Sequence, residues 1–285
     1  MVLRILLGLA VLALLVVLAM QIWQWADRRQ ADAISKRLAA SAGAATSVFD
    51  LAMIADLPEP AQRFFTFAIK PGTGLQRVAR LQMRGEFGLG DKTDPKYLPM
   101  TAQQVLAAPY GFVWWLKGGA GVVQISGSDG ALGEASWTRF WVLRLAPVAR
   151  AGGNADHARS AFGRYAAEAV FWTPAALLPQ DGVRWEALGD NSARVTVTTD
   201  RHSQAVDVTV DAKGRPTQVE FQRWSDANPA KTYQLQPFGG YLSDYREIAG
   251  YMLPTKVEAG NFFGTEDYFP FFKVDVTSID FIDPQ

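Results

Sequence analysis

The chain has 285 residues, 49% of them hydrophobic and 12% aromatic, enough apolar material for a substantial core and too much for a disordered chain. Its 28 basic and 28 acidic residues cancel, which removes the long-range field a nucleic-acid binder uses to collect phosphate, so no nucleic acid is expected as a partner. The lack of cysteine excludes disulfides, thiolate metal sites and a cysteine nucleophile. The two histidines, His157 and His202, are too few for an ordinary catalytic zinc and read as surface or helix-cap residues; no metal and no cofactor is expected.

From Ile5 to Trp23 the apolar run is broken only by Gln21. At about 1.5 Å per residue it crosses most of a roughly 30 Å hydrocarbon layer, with Trp23 and Trp25 placed as interfacial rings. A cleaved signal peptide would have a shorter apolar region, of about 7 to 15 residues. The small-residue triplet Ala31-Asp32-Ala33 comes only after the charged Asp27, Arg28 and Arg29. The reading is an uncleaved single-pass anchor over residues 1–26, with the membrane as partner through Ile5 to Trp23. Arg28, Arg29, Lys36 and Arg37 outnumber Arg4 and the terminal amine, which taken literally leaves the large domain in the cytoplasm; Asp27 and Asp32 are interleaved among them and leave the side undecided.

Residues 27–49 are rich in Ala and Ser and read as a helical stalk fading into a linker over Ser41 to Ser47. A single domain is expected over 50–285. Leu57-Pro58-Glu59-Pro60 opens a short helix that turns Phe64, Phe65, Phe67 and Ala68 mostly inward, and Pro71-Gly72 stops it. Short segments cut by turn residues follow from Leu75 onward. The clearest alternation sets Val206, Val208 and Val210 against Asp207 and Thr209; a turn at Asp211 to Gly214 leads to Val219 and Phe221 against Glu220 and Gln222, a hairpin with one dry face. Further strands are expected at 76–88, 98–107, 110–117, 121–127, 134–142, 183–189, 193–199, 232–247, 251–260 and 270–281.

Among these strands lies one strong helix, the Arg164 to Pro179 block, in which Phe162, Tyr165, Ala166, Ala169 and Trp172 recur at helical steps and Pro174 ends the ladder. The fold class read from this is α+β, mostly β: an N-terminal transmembrane helix, then a large curved antiparallel sheet, an open half-barrel, wrapped around a central helix.

Arg164 and Glu168 stand four apart with the cation first, the less favourable order for an exposed helical pair; they form an ion pair or point to the sheet or a ligand headgroup. In Asp244-Tyr245-Arg246-Glu247, alternation separates Asp244 and Arg246 from Tyr245 and Glu247, and cross-strand salt bridges are the simpler reading. Gly85, between Arg84 and Glu86, marks a bulge or a close backbone approach. Ser126-Gly127-Ser128-Asp129-Gly130 lacks the spacing of a nucleophile elbow and reads as a hairpin turn. No phosphate-binding loop is present, and nothing selects His202-Ser203 as part of a triad; no catalytic residue is assigned. Adjacent rings such as Trp114-Trp115 and Phe271-Phe272 cannot both face inward from one strand, so some rings lie under the helix, at an interface or against the membrane.

Taken in order, Leu57-Pro58-Glu59-Pro60, Arg84-Gly85-Glu86-Phe87, Gly111-Phe112-Val113-Trp114, the Arg164 to Pro179 block, Val183-Arg184-Trp185-Glu186 and Ser243 to Glu247 leading to Leu253-Pro254 resemble an uncharacterised family of bacterial membrane-anchored proteins with a domain of unknown function, over residues 55 to 282. More distantly, the strand count, the enclosed helix and the late Asp-Tyr-Arg strand are similar to the lipoprotein-carrier fold, in which a curved sheet binds acyl chains around helices. The resemblance implies a bacterial cytoplasmic (inner) membrane location. The expected function is non-catalytic binding of a lipid or other hydrophobic ligand, with Arg164, Glu168, Trp172, Trp114, Tyr245 and Arg246 as candidate ligand residues. The alternatives are a hydrolase of membrane-derived substrates working through Glu168, Asp244 or Glu247, and a scaffold that docks another membrane protein.

Overall fold

The computed structural model describes residues 1–43 and 47–282. Helix α1 runs unbroken over Val2–Ala40, long and apolar enough in its first half to cross a membrane by length and composition. Asp27, Ala31, Ile34 and Leu38 are its buried positions, and their spacing places them on one stripe. That stripe lies on Val78, Val105, Ala107, Val113 and Trp137, so the stretch read as a stalk is laid along the sheet. Part of the linker expected after it, residues 44–46, lies outside the described residues, as do residues 283–285.

After a 3-10 turn at Leu51–Ile54, α2 spans Glu59–Ala68. Pro60 sits at the start of this helix, where its missing amide costs nothing, and Phe64 and Phe65 are buried. Thirteen strands follow: β1 Val78–Gly88, β2 Tyr97–Ala107, β3 Gly111–Ala120, β4 Val123–Leu132, β5 Ala135–Val142, β6 Ala146–Gly152, then helix α3 Ala155–Trp172 and a 3-10 turn Pro174–Leu177, and β7 Val183–Gly189, β8 Ser192–Thr198, β9 Ser203–Val210, β10 Pro216–Ser225, β11 Gln234–Ile248, β12 Tyr251–Asn261 and β13 Phe269–Phe281. All belong to one antiparallel sheet in the order β6-β5-β4-β3-β2-β1-β13-β12-β11-β10-β9-β8-β7. Strands β6 and β7 are its two free edges, so it is open, as expected.

The sheet must be strongly curved. Helix α3 touches both β5 and β10, which are eight strand spacings apart in the order; laid flat that is about 38 Å at about 4.8 Å per strand, against a helix only about 10–12 Å across. One face therefore curls around α3 and α2, where the main core gathers Phe64, Phe65, Phe112, Phe162, Trp172, Tyr251 and their neighbours. The outer face carries α1. Alternation along β3 divides the two: Phe112 and Trp114 join the inner core, Val113 the outer cluster.

Two local readings change. Ser126 to Gly130 is the middle of β4, with Asp129 paired to Trp114 and Thr138 across the sheet. Its glycines answer to packing: a Cβ on Gly130 would lie 2.5 Å from the Trp137 ring, and one on Gly127 would lie 2.6 Å from the Phe140 ring. Strand β6 was not anticipated, because its sequence, Ala-Pro-Val-Ala-Arg-Ala-Gly, has little of the β-branched or aromatic content that marks strands. Gly85 is a close approach, its missing side chain leaving room for the Lys273 carbonyl and the Val274 backbone.

Candidate functional site

Between α3 and the inner face of the sheet lies a cavity of about 200 Å³. It is below the about 300–1,000 Å³ of sites for drug-sized ligands, yet larger than an apolar cavity of about 150 Å³ known to admit benzene. Its walls are mostly rings and aliphatic groups: Phe87, Trp114, Phe140, Phe171, Trp172, Phe221, Phe238, Phe271 and Phe272, with Val219, Leu242 and Val257. Gly239 and Gly240 of β11 complete the wall; a Cβ on Gly239 would lie 2.6 Å from the Val219 carbonyl and 2.8 Å from the Phe263 ring.

Four charged side chains enter this apolar space: Asp129, Arg164, Glu168 and Arg223. Three of them match one another. Arg164 donates from Nε to Glu168 Oε1 at 2.7 Å and from Nη1 to Asp129 Oδ2 at 2.6 Å. Gln104 Nε2 donates to the other Glu168 oxygen at 2.5 Å, and Thr138 Oγ1 to the other Asp129 oxygen at 2.9 Å. Burial draws the Arg164 pKa down, but Glu168 and Asp129 together outweigh it and raise it. The guanidinium also lies over the Phe112 ring, 4.4 Å from its centre. This hydrogen-bonded cluster of one cation and two carboxylates ties the middle of α3 to β2, β4 and β5 and keeps a surplus negative charge.

Arg223 is different. No hydrogen bond or ion pair reaches it among the described residues, its Nε is buried without an acceptor, and its one close partner is the Phe238 ring, 4.8 Å from the guanidinium. Burial first, and then repulsion from Arg164, lower its pKa to about 10 against the opposing attraction of Asp129 and Glu168. Two more buried donors of the lining, the indole N–H groups of Trp114 and Trp172, also lack acceptors.

Of the six residues expected to meet a ligand, Trp114, Arg164, Glu168 and Trp172 line this cavity and Tyr245 and Arg246 do not. Tyr245 stacks edge-on against Phe67 at 5.2 Å, outside the cavity, and donates its hydroxyl to the Pro216 carbonyl; burial raises its pKa. Arg246 is exposed on the lower half of β11. Asp244 and Glu247 are exposed there too, so the three carboxylates considered for hydrolysis do not meet. His157 is not a surface residue: it is buried in the first turn of α3, between Ser136 Oγ at 2.9 Å and Thr138 Oγ1 at 3.1 Å. Among the described residues no group of three His, Asp or Glu could hold a metal ion.

Arg223 and Asp129 were missed on sequence. For Arg223 the signal was present: it continues the alternation of Val219 and Phe221 onto the dry face of β10. Asp129 was hidden by the turn-like composition of its segment.

Residues 47–274 match the family of unknown function DUF6544. The chain belongs to this family. That agrees with the resemblance carried by its ordered motifs. No curated protein matches the chain. Among solved structures, a LolA superfamily protein from Nitrosomonas europaea is similar at a TM-score of 0.41 and 11% identity, over 79% of this chain and 92% of that one. A putative outer membrane lipoprotein-sorting protein domain from Vibrio parahaemolyticus is similar at 0.38 and 10%, over 81% and 91%.

Proposed function

We propose that this DUF6544 chain is a membrane-tethered, non-catalytic binding protein for a lipid or other apolar ligand, held between α3 and the sheet. The anchor is the apolar part of α1 over residues 1–26, in the cytoplasmic membrane of a bacterium; residues 27–49 fasten it along the domain formed by 50–285. The observation that carries the reading is the hollow itself. An interior this rich in rings could have closed on itself, yet about 200 Å³ stays open between α3 and the sheet, with a salt-bridged cluster in its wall. A filled interior would have favoured the scaffold reading.

The test is photo-crosslinking of a diazirine-bearing fatty acid to the detergent-solubilised full chain, followed by peptide mapping. Label is expected on β5, β11 and β13, near Phe140, Phe238 and Phe271, and is expected to fall in Ala167→Phe, which fills the cavity from the helix side. Label confined to the first 25 residues would overturn the proposal.

A further inference from the structure

The cavity is unbalanced in one chemical respect. Each buried side-chain polar atom of its lining that lacks a partner is a donor: Arg223 Nε, Trp114 Nε1 and Trp172 Nε1. Indole and guanidinium nitrogens can only donate. The nearby carboxylates are engaged elsewhere: each Glu168 and Asp129 oxygen receives a hydrogen bond from Arg164, Gln104 or Thr138, and none from Arg223. A guanidinium set among Phe238, Phe221 and Val219 with its Nε lacking an acceptor is costly to maintain when the cavity is empty. Its planar fork matches a pair of anionic oxygens, which it binds bidentately.

We infer that the ligand is an anionic amphiphile whose carboxylate or phosphate is received by Arg223 while its chain fills the ring-lined hollow. This rests on the apolar-ligand reading above and narrows it to a headgroup class. The experiment is displacement of an environment-sensitive apolar dye from the solubilised full chain by a fatty acid, an alkyl phosphate and a fatty alcohol of equal length. Wild-type protein is expected to prefer at least one anion over the alcohol by 10-fold or more, and Arg223→Met is expected to lose that preference while still taking the alcohol. The better anion identifies the source. A preference unchanged in Arg223→Met, or no preference in wild type, overturns the headgroup assignment. Failure of all three to displace the dye overturns the apolar-ligand reading itself.

A second, independent observation concerns the mouth of the cavity. The hairpins β1–β2, β3–β4 and β5–β6 turn at the same end of the sheet, and their tips expose Leu89, Val122, Val123, Leu143 and Leu145. Gln21 of α1 donates to the Arg144 carbonyl on the third of these tips at 2.8 Å, and Trp23 packs edge-on against Trp141 at 5.4 Å. The apolar half of α1 therefore leaves the domain from this end. The cavity lies at this end too: Phe87, Phe140, Arg223, Ala259 and Phe271 line it from within two residues of their strand ends here.

The geometry points to a rim of hairpin tips resting in the surface of the bilayer that holds α1, so that a lipid can pass from the membrane into the cavity. With no native cysteine, single cysteines replacing Val122, Leu143 and, at the opposite end, Lys213 can carry an environment-sensitive fluorophore in lipid nanodiscs. Blue-shifted emission quenched by brominated lipids is expected at 122 and 143 and not at 213. Aqueous emission at all three sites overturns the rim. Extraction of the chain by alkaline carbonate would refute the anchor instead.

Discussion

Replacing Arg223 by Met is expected to stabilise the ligand-free protein. The folded pKa of this guanidinium falls from 12.5 to about 10 through burial and the nearby Arg164. At about 1.36 kcal/mol for each pH unit, that corresponds to an upper limit of about 3 kcal/mol lost by keeping it charged in the fold. The residue retains some access to solvent, so a gain of about 1–2 kcal/mol is the working figure. For a domain of this size that raises Tm by about 2–8 °C. Arginine keeps its charge in both the folded and the unfolded chain, so the penalty is complete at neutral pH. Thermal unfolding of delipidated full-length protein, followed by tryptophan fluorescence, should show the variant above wild type at pH 7. A variant that melts with or below wild type at neutral pH would mean that Asp129 and Glu168 fully offset the burial of Arg223, and the headgroup argument would go with it.

Asp27→Ala should loosen α1 from the sheet. Asp27 accepts from Arg150 at 2.6 and 3.0 Å and from Trp141 Nε1 at 3.1 Å, with Arg139 3.3 Å away; removing it leaves these donors facing one another at a cost of about 2–4 kcal/mol, and hydrogen exchange over residues 27–40 should rise. Gly130→Ala should cost about 1–3 kcal/mol by overpacking against the Trp137 ring, measured as a lower denaturant midpoint at unchanged slope. His157 has its pKa lowered from 6.5 by burial, so below about pH 6.5 the unfolded chain binds the proton that the fold refuses, and stability falls with acidification. Between about pH 7.5 and 5.5 the melting temperature of His157→Gln should fall less than that of wild type; parallel slopes would refute the burial argument.

How far the sequence carried the reading depends on whether a signal was local. Strands such as β9, with Val206, Val208 and Val210 inward, declare themselves because one face meets core and the other water. The helix through Tyr165 and Trp172 does the same at its own period. What escaped was set by tertiary neighbours. Gly127 and Gly130 look like a turn until the rings of Phe140 and Trp137 occupy the space their side chains would need. Tyr245 and Arg246 form a dense polar cluster, but nothing local states that this half of β11 lies away from the cavity. Arg223 was within reach, since two more steps of a recognised alternation put a cation on a dry face.

The order of the sheet also bears on how the protein is made. Strands β1 to β6 form one meander and β7 to β13 another, joined side by side only where β1 pairs with β13. The central seam therefore joins the first strand synthesised to the last, residue 78 to residue 281. At roughly 5–20 residues per second, about 10–40 s separate their emergence. For that interval β1 presents one unpaired edge, a template open to wrong partners. Truncating the chain ahead of Val274 should then do more harm than the terminal position suggests, because Val274 to Phe281 belong to a strand in the middle of the sheet.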